Sequence, residues 1–319
     1  FILKDRAKLL SQLSGDIQVK VIGINAYVSP KSVYKVISEI RLFSPQILHS
    51  QMYASNILAR IYKMFNKTVF VVNQIHGLGS WIGKRHIIID RVLMRYVDKI
   101  LVVSEKSFEI RSIREKYPAG KLSILYNSID ATKYMLKNLK QNNDSVFTLG
   151  MACRLVPLKQ VNKAIELVLN LRDLGLNVHL KVAGDGPEKE NLLQLISKYN
   201  LDQSVELLSF VEDMPAFYNQ IDCFLVCSKT EDLPLSIVEA FSSGRAAIST
   251  NIGGVPELFE NTYGLLVDDL TQDILSIKKF IENFDAKEAA RINSKYAKLK
   301  FDLPIHTAKL LDLYESLLH

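Results

Sequence analysis

Two glutamates with seven residues between them, Glu231 and Glu239, are the strongest candidates for chemistry in this sequence. The apolar run Cys223–Cys227 precedes them and predicts a buried strand of a parallel sheet. Glu231 comes where this strand should end, and Pro234 predicts the first turn of a helix that contains Glu239. Both carboxylates should therefore lie near one helix N-terminus at the carboxyl ends of the strands, where open α/β sheets bind their ligands.

The predicted helix gives the two carboxylates a spacing that suits a phosphorylated sugar ligand. A helix rises about 1.5 Å per residue, so the carboxylates span roughly the distance from the sugar to the ribose of a nucleotide sugar. The free N–H groups between them suit a phosphate. We expect Asp232 or Leu233 to cap this helix, Gly244 to end it, and Ala246–Ser249 to form the next buried strand.

The residues around the two glutamates resemble the donor site of the family 4 glycosyltransferases. The resemblance is carried by Glu231 and Glu239, by Pro234, by Ala240, by Gly244 and by the string GGVPE at Gly253–Glu257. Members of this family are retaining enzymes with the GT-B fold. The resemblance therefore implies the fold class α/β, with two Rossmann-like domains that face each other across a cleft.

A second motif follows the predicted strand Val146–Ala152. Arg154 and Lys159 resemble the R-x4-K element of the family, and the resemblance implies that they hold the diphosphate of the donor. Arginine can chelate phosphate oxygens with a fork of donors, while lysine supplies a mobile point charge. Cations at this place would stabilise the negative charge that develops on the leaving diphosphate.

The resemblance also implies roles for the glutamates and for one histidine. Glu231 would contact the hydroxyls of the donor sugar and support positive charge at its anomeric carbon, while Glu239 would hold the ribose hydroxyls. His76 lies in the segment Asn73–Gly79, which resembles the family's loop that brings a histidine to the donor from the opposite domain. A capping or solvent-facing histidine is the alternative. The catalytic candidates are thus Glu231, Arg154, Lys159 and His76.

Four further positions are binding candidates. Helix N–H groups near Pro234 and Leu235 would meet the diphosphate, and backbone groups near Val211 would hold the base. Gly184 belongs to the turn Gly184–Pro187, which resembles the family's turn at this place. A purely structural role is the alternative for Gly184.

The chain of 319 residues is long enough for two α/β domains. We expect an N-terminal, acceptor-side domain at residues 1–132, a nucleotide-sugar-binding domain at 145–302, and a terminal helix at 303–319 that crosses back to the first domain. Compared with the family, the first strand, its glycine-rich turn and the second strand are missing, so the resemblance implies an incomplete first domain.

Alternating patterns predict a parallel sheet with helices on both faces in each domain. In the first domain we expect helices at Phe1–Leu13, Lys31–Phe43, Tyr53–Phe65, Lys84–Val97 and Glu105–Lys116, and strands at Gln18–Ile24, Gln46–His49, Thr68–Asn73, Lys99–Ser104 and Leu122–Tyr126. In the second we expect strands at Val178–Gly184, Val205–Leu208 and Gly264–Val267, and helices at Glu188–Tyr199, Leu270–Phe284, Ala286–Lys298 and from Pro304 to His319.

Charge is distributed unevenly along the chain. Residues 1–144 carry 23 Lys and Arg against 10 Asp and Glu, whereas the remainder carries 17 against 24. The basic half suggests an anionic partner such as lipid head groups or a lipid-linked pyrophosphate, and no nucleic-acid motif accompanies it. The predicted helix at Lys84–Val97 has five basic residues and places Ile87, Ile88, Val92 and Leu93 on another face. It could face a membrane or bind the acceptor, or it could be a packed helix with a solvated basic face.

The remaining features limit cofactors and location. The three cysteines are too few for a disulfide framework, so buried free thiols and a reducing cytoplasm are expected. No apolar run reaches the roughly 18–20 residues that span a bilayer, and a peripheral position at the inner face of the membrane is an option. The chain contains no Asp-x-Asp, so we expect neither a metal nor another cofactor; the nucleotide sugar would be a co-substrate.

The resemblance implies a retaining hexosyltransferase that uses a nucleotide diphospho-sugar, first of all a UDP-sugar. Its acceptor would be a saccharide or a lipid-linked acceptor, in surface polysaccharide or lipopolysaccharide synthesis, and nucleic acid is not expected as a partner. Two alternatives stay open. One is a GT-B sugar-nucleotide 2-epimerase, which would need additional acid and base residues. The other is a non-catalytic fragment that only binds a sugar nucleotide.

Overall fold

The structure, a computed structural model, describes residues 18–20, 22, 29–79, 83–135 and 146–319. Two compact units account for them. The first is drawn from Phe1–Val102, Arg111–Ser123 and Leu317–His319, and the second from Val103–Ile110 and Ile124–Ser316. The predicted helix Phe1–Leu13 lies outside the described residues. Of the predicted strand Gln18–Ile24 only residues 18–20 and 22 are described, and these are not in a strand.

The first unit is built on a four-stranded sheet in the order β1-β2-β3-β4. Its strands are β1 (Ile47–Gln51), β2 (Phe70–Ile75), β3 (Lys99–Val102) and β4 (Leu122–Ile124), and its helices are α1 (Pro30–Phe43), α2 (Tyr53–Phe65) and α3 (Lys84–Leu93). The pairings β1–β2 and β2–β3 are parallel. The strand β2 ends two residues later than predicted, so His76 follows it directly.

The second unit has a six-stranded sheet in the order β10-β9-β8-β5-β6-β7, and its five pairings are all parallel. The strands are β5 (Phe147–Ala152), β6 (Val178–Ala183), β7 (Val205–Leu207), β8 (Cys223–Val226), β9 (Ala246–Thr250) and β10 (Gly264–Val267). The helices are α4 (Glu105–Glu109), α5 (Ala131–Tyr134), α6 (Val161–Asp173), α7 (Lys189–Lys198), α8 (Met214–Asn219), α9 (Leu235–Ser242), α10 (Ile274–Glu282), α11 (Ala286–Phe301) and α12 (Leu303–Leu318).

The second sheet separates two hydrophobic cores. Along β8, Cys223 and Leu225 pack into one core, while Phe224 and Val226 pack into the other. This alternation is the period of two that a strand imposes on its side chains. Both faces of the strand are buried, which explains why β8 reads as a continuous apolar run.

Three predicted helices differ from the structure by four residues or more at one end. The helix expected at Glu105–Lys116 is α-helical only to Glu109 and continues as a π-helix over Ile110–Arg114. The helix expected at Lys84–Val97 ends at Leu93, and a 3-10 turn follows it. The helix expected from Leu270 begins at Ile274, because the carboxylate of Asp269 accepts the N–H groups of Thr271 and Gln272 and holds a turn there.

None of the helices in the described part of the chain is both long and apolar enough to cross a membrane. The predicted boundaries of the domains, and the contact of the terminal helix with the first domain, remain predictions.

Candidate functional site

The strand order of the second sheet reverses between β5 and β8. From β5 the chain proceeds outward through β6 and β7, and from β8 it proceeds through β9 and β10 in the opposite direction. The two strands pair directly, with Leu149 opposite Cys223 and Gly150 opposite Phe224. The loops that follow them therefore leave the sheet side by side. A crevice outside the carboxyl ends of such strands is where open α/β sheets bind ligands.

These two loops bring together two of the predicted catalytic residues. Lys159, after β5, forms an ion pair with Oε1 of Glu231, after β8. Ser228 Oγ donates to the same carboxylate oxygen at 2.6 Å. The ion pair is partly buried, with the lysine side chain 26% and the glutamate side chain 15% exposed. An ammonium group has three donors, so Lys159 keeps two for a further ligand.

The loop after β5 is fixed by backbone hydrogen bonds. Lys229 N–H donates to the carbonyl of Leu158 at 2.8 Å, which ties the two loops together. Leu155 is fully buried and anchors the middle of the loop. The side chain of Arg154, in contrast, is exposed and makes no hydrogen bond or ion pair within the described part of the chain. The loop therefore presents a cation on a rigid backbone.

Gly184 lies below this loop and has a structural role. Its φ angle is 143°, and a Cβ there would lie 1.8 Å from the carbonyl oxygen of Cys153. Gly186 is similarly close to the carbonyl of Leu155. The glycine turn thus supports the loop that carries Arg154. A contact of Gly184 with a ligand stays a prediction.

The helix α9 begins later than we predicted. Pro234 is its N-cap and Leu235 its first residue, so the expectation that Asp232 or Leu233 caps it is wrong. Asp232 instead accepts a hydrogen bond from the hydroxyl of Ser104. The first N–H groups of a helix have no acceptor inside the helix. In α9 the N–H group of Ile237 donates to the carbonyl of Pro234.

Glu239 lies one turn into α9 and is held by tyrosines. Tyr218 donates its hydroxyl to Oε2 of Glu239 at 2.8 Å, and Tyr134 also hydrogen-bonds to this carboxylate. Burial raises the pKa of Glu239, and the two tyrosine hydrogen bonds act in the opposite direction. Glu239 is half-buried and does not contact the Lys159–Glu231 pair through any hydrogen bond among the described residues.

Two further residues of the predicted regions, Val211 and Glu257, make contacts within the second unit. Val211 is half-buried and packs against the core that contains Phe224 and Val226. Glu257, the last residue of the GGVPE string, caps α4, because its carboxylate accepts the N–H groups of Glu105 and Lys106 at 2.7 and 2.9 Å.

His76 belongs to the first unit and is exposed at the end of β2. The following residue, Gly77, has a φ of 120°, a conformation that favours glycine. Arg111 donates to the carbonyl of Gly77 at 2.9 Å and is itself paired with Glu115. His76 and Gly77 line a cavity of about 70 Å³ together with Arg111 and Asp90.

Several of these contacts could not be read from the sequence. Tyr218 and Tyr134 reach Glu239 from distant positions, and no local pattern marks them. Ser228 is not among the site residues predicted from the sequence. Its position three residues before Glu231, just after a strand end, is the signal that could have indicated a hydroxyl donor to this carboxylate. Within the described residues, no cluster of three His, Cys, Asp or Glu side chains could hold a metal ion.

These features, two units with parallel sheets and a charged site at a topological switch point, define an α/β protein of the GT-B class. The chain belongs to the family of group 1 glycosyl transferases, which matches residues 135–299. Residues 19–133 match Glycosyltransferase Family 4.

Two curated relatives show how far the likeness extends. A phosphatidylinositol N-acetylglucosaminyltransferase subunit of Arabidopsis thaliana is 26% identical over 73% of this chain and 53% of its own length. The O-antigen biosynthesis glycosyltransferase WclY of Escherichia coli is 26% identical over 69% of this chain and 61% of its own length. The chain thus spans about half to three fifths of the length of these relatives.

Solved structures agree on the fold. HepE of Anabaena in complex with UDP superposes with a TM-score of 0.85 at 20% identity, covering 97% of this chain and 88% of HepE. The lipopolysaccharide outer core galactosyltransferase WaaB, in its apo form, superposes with a TM-score of 0.77 at 16% identity, covering 98% and 87% of the two chains.

Proposed function

We propose that this chain is a retaining glycosyltransferase that moves a hexosyl group from a nucleotide diphospho-sugar to a saccharide or lipid-linked acceptor. The observation that supports it most is the Lys159–Glu231 pair at the switch point of the second sheet. The loop that carries Lys159 also carries the exposed Arg154. A carboxylate and two cations at one sheet edge suit a ligand that is a sugar at one end and a diphosphate at the other.

The charges of the site fit the bond that must break. When the bond from the anomeric carbon to the phosphate oxygen breaks, its electron pair stays on the leaving diphosphate. Arg154 can chelate phosphate oxygens, and Lys159 can donate its remaining N–H groups to them. The carboxylate of Glu231, which pairs with Lys159, would stabilise positive charge at the anomeric carbon.

Retention of configuration calls for attack from the face that the leaving group occupies, unless an enzyme nucleophile intervenes. In the proposed reaction the acceptor oxygen bonds to the anomeric carbon on that face, and its proton passes to the leaving phosphate oxygen. Glu239 would hold the ribose hydroxyls, at a position that Tyr218 fixes by a 2.8 Å hydrogen bond. His76 would contact the donor, and the reaction would need no metal.

UDP is the nucleotide that the comparisons favour, since HepE was crystallised with UDP and with UDP-glucose. WclY acts in O-antigen biosynthesis and WaaB in the lipopolysaccharide outer core. We therefore propose a role in surface polysaccharide or lipopolysaccharide synthesis, at the cytoplasmic face of the membrane. The three free cysteines fit a reducing compartment.

Incubation of the full chain with UDP-hexoses, with and without saccharide or lipid-linked acceptors, tests this function. We expect UDP release that depends on the acceptor, and a product with the anomeric configuration of the donor in proton NMR. Conversion of the donor to its 2-epimer without an acceptor would instead indicate an epimerase. Binding of UDP with no turnover of any donor would indicate a binding protein.

A further inference from the structure

The helix α3 exposes apolar and basic side chains on the same face. Ile88, Ile89 and Val92 are 60%, 45% and 57% exposed. Arg85 is exposed in the first turn of α3, at position i of a helical face that contains Ile88, Ile89 and Val92 at i+3, i+4 and i+7. Arg95 is exposed in the 3-10 turn that follows α3. The sequence-based expectation that Ile88 and Val92 lie on a different face from Arg85 is therefore wrong.

The contacts on the buried side of α3 explain which of its side chains face outward. His86 and Ile87 are half-buried, and Asp90 is only 4% exposed because it pairs with Arg60 at 2.7 Å. Tyr117 donates to the second oxygen of Asp90. No other acidic residue occurs in the sequence from position 84 to position 97. The exposed face of α3 consequently carries positive charge and apolar surface, without a carboxylate.

The neighbouring segment continues this composition. Arg91 donates from Nε to the carbonyl of Glu115 at 3.3 Å, which joins α3 to the residues that follow the π-helix. Ile113, within the π-helix, is 69% exposed, and Arg114 and Lys116 are exposed as well. A surface that combines exposed isoleucines with cations of one sign is unusual where a protein meets only water, because such surfaces mix charges of both signs.

We propose that this face of α3 docks the protein onto an anionic lipid surface. Ile88, Ile89 and Val92 would enter the boundary between head groups and acyl chains, while Arg85 and Arg95 would contact lipid phosphates. The inference rests on the proposed function only in its purpose, which is to bring the site to a lipid-linked acceptor.

The same charges disfavour a second copy of the chain as the occupant of this face. A two-fold interface places the same patch of both protomers together. Arg85, Arg91 and Arg95 of one copy would then meet the same cations of the other, and the face offers no acid to pair with them. An anionic lipid surface supplies the negative charge that the face lacks.

Sedimentation of the full chain with vesicles tests the proposal. Vesicles of phosphatidylcholine alone are compared with vesicles that contain phosphatidylglycerol, at low and high salt. Each arginine near an anionic surface is worth roughly a fivefold factor in partitioning. Arg85→Gln/Arg95→Gln should therefore lower partitioning to the anionic vesicles about 25-fold. Ile88→Gln/Val92→Gln should lower it at least about tenfold, because two aliphatic side chains no longer leave water.

Matched controls come from exposed residues of the second unit. Lys295→Gln/Lys298→Gln removes the same charge, and Leu275→Gln/Leu299→Gln removes similar apolar surface. We expect both controls to partition like the wild type. Unchanged melting temperatures and unchanged UDP affinity of the α3 variants would show that they fold.

A second readout uses Trp81, the single tryptophan of the chain. It precedes Lys84, the first residue of α3, by three positions in the sequence. We expect anionic vesicles with brominated lipids to quench its emission in the wild type but not in the Ile88→Gln/Val92→Gln variant.

Equal partitioning to neutral and anionic vesicles would overturn the proposal, and so would α3 variants that partition like the controls. A dimer in light scattering that Ile88→Gln/Val92→Gln dissociates would assign the face to self-association instead, and a tight acidic protein partner lost in both α3 variants would assign it to protein binding. Failure of the wild type to bind UDP would count against the proposed function but leave the vesicle result standing.

Discussion

Replacement of Arg154 by glutamine should weaken the binding of UDP but not the binding of uridine. Arg154 lies in a loop whose backbone is fixed by Leu155 and by the bond between Lys229 and Leu158. The substitution should therefore remove charge without moving the loop. Its guanidinium has no partner among the described residues, so no internal contact is lost that would complicate the result.

The size of the effect follows from the type of hydrogen bond. Hydrogen bonds to charged groups contribute about 1.5–3 kcal/mol, which corresponds to a loss of roughly 10- to 150-fold in affinity. Because Arg154 is exposed, solvent screening favours the lower end of this range. The loss should shrink in high salt, since the interaction of exposed charges is screened.

Isothermal titration calorimetry with UDP and with uridine, at two salt concentrations, measures the effect. Arg172→Gln is the matched control, because Arg172 is also exposed but lies at the end of α6. Unchanged UDP affinity in Arg154→Gln, or an equal loss for uridine, would refute the assignment of Arg154 to the diphosphate.

Three further variants test the other parts of the site. Glu231→Gln should leave UDP affinity nearly intact while abolishing transfer. The single variant Lys159→Gln should bind UDP more weakly than the double variant Lys159→Gln/Glu231→Gln, because the single change leaves an unpaired carboxylate near the diphosphate. Equal UDP affinity of the single and double variants in calorimetry would contradict the pairing. Glu239→Gln should weaken UDP and UDP-sugar alike yet raise the melting temperature at neutral pH. Burial raises the pKa of Glu239 in the folded state, so the stability present at low pH is lost as pH rises through that raised pKa. Because the pKa of Glu239 is raised, the UDP affinity of the wild type should begin to fall, as the pH is lowered, at a higher pH than an ordinary glutamate would give. A difference in UDP affinity between the wild type and Glu239→Gln that does not change with pH would count against this reasoning. Gly184→Ala should lower the melting temperature, because its Cβ would collide with the carbonyl of Cys153; a variant that melts like the wild type would show that the turn can relax.

Local patterns in the sequence predicted much of the fold. The helix Tyr53–Phe65 has the predicted bounds, and β8 and β9 follow from their apolar runs. Periodicity and strand-end position also placed Glu231 and Lys159 at one edge of one sheet. Their direct ion pair could not be predicted, since it depends on the pairing of β5 with β8, more than 70 residues apart.

The faces of α3 show why other features were beyond sequence reasoning. An aspartate is ordinarily expected on the water side of an amphipathic helix. Asp90 is buried because Arg60, 30 residues earlier, pairs with it. Tyr117 donates to the other oxygen of the same carboxylate. With Asp90 on the buried side, Ile88 and Val92 face outward together with Arg85.

The start of α9 is a similar case at short range. Asp232 is a good N-cap residue by type, yet its carboxylate bonds to Ser104, which is 128 residues away. The close approach of Gly254 to the carbonyl of Asp232 reinforces that position. Tertiary contacts therefore overrode the local preference.

A crystal structure of the full chain with UDP tests the central claim most directly. The account predicts that the diphosphate lies within hydrogen-bond distance of Arg154 and Lys159, with the ribose hydroxyls on Glu239. Nucleotide bound elsewhere on the chain, or a diphosphate that contacts neither Arg154 nor Lys159, would contradict the assignment of this site.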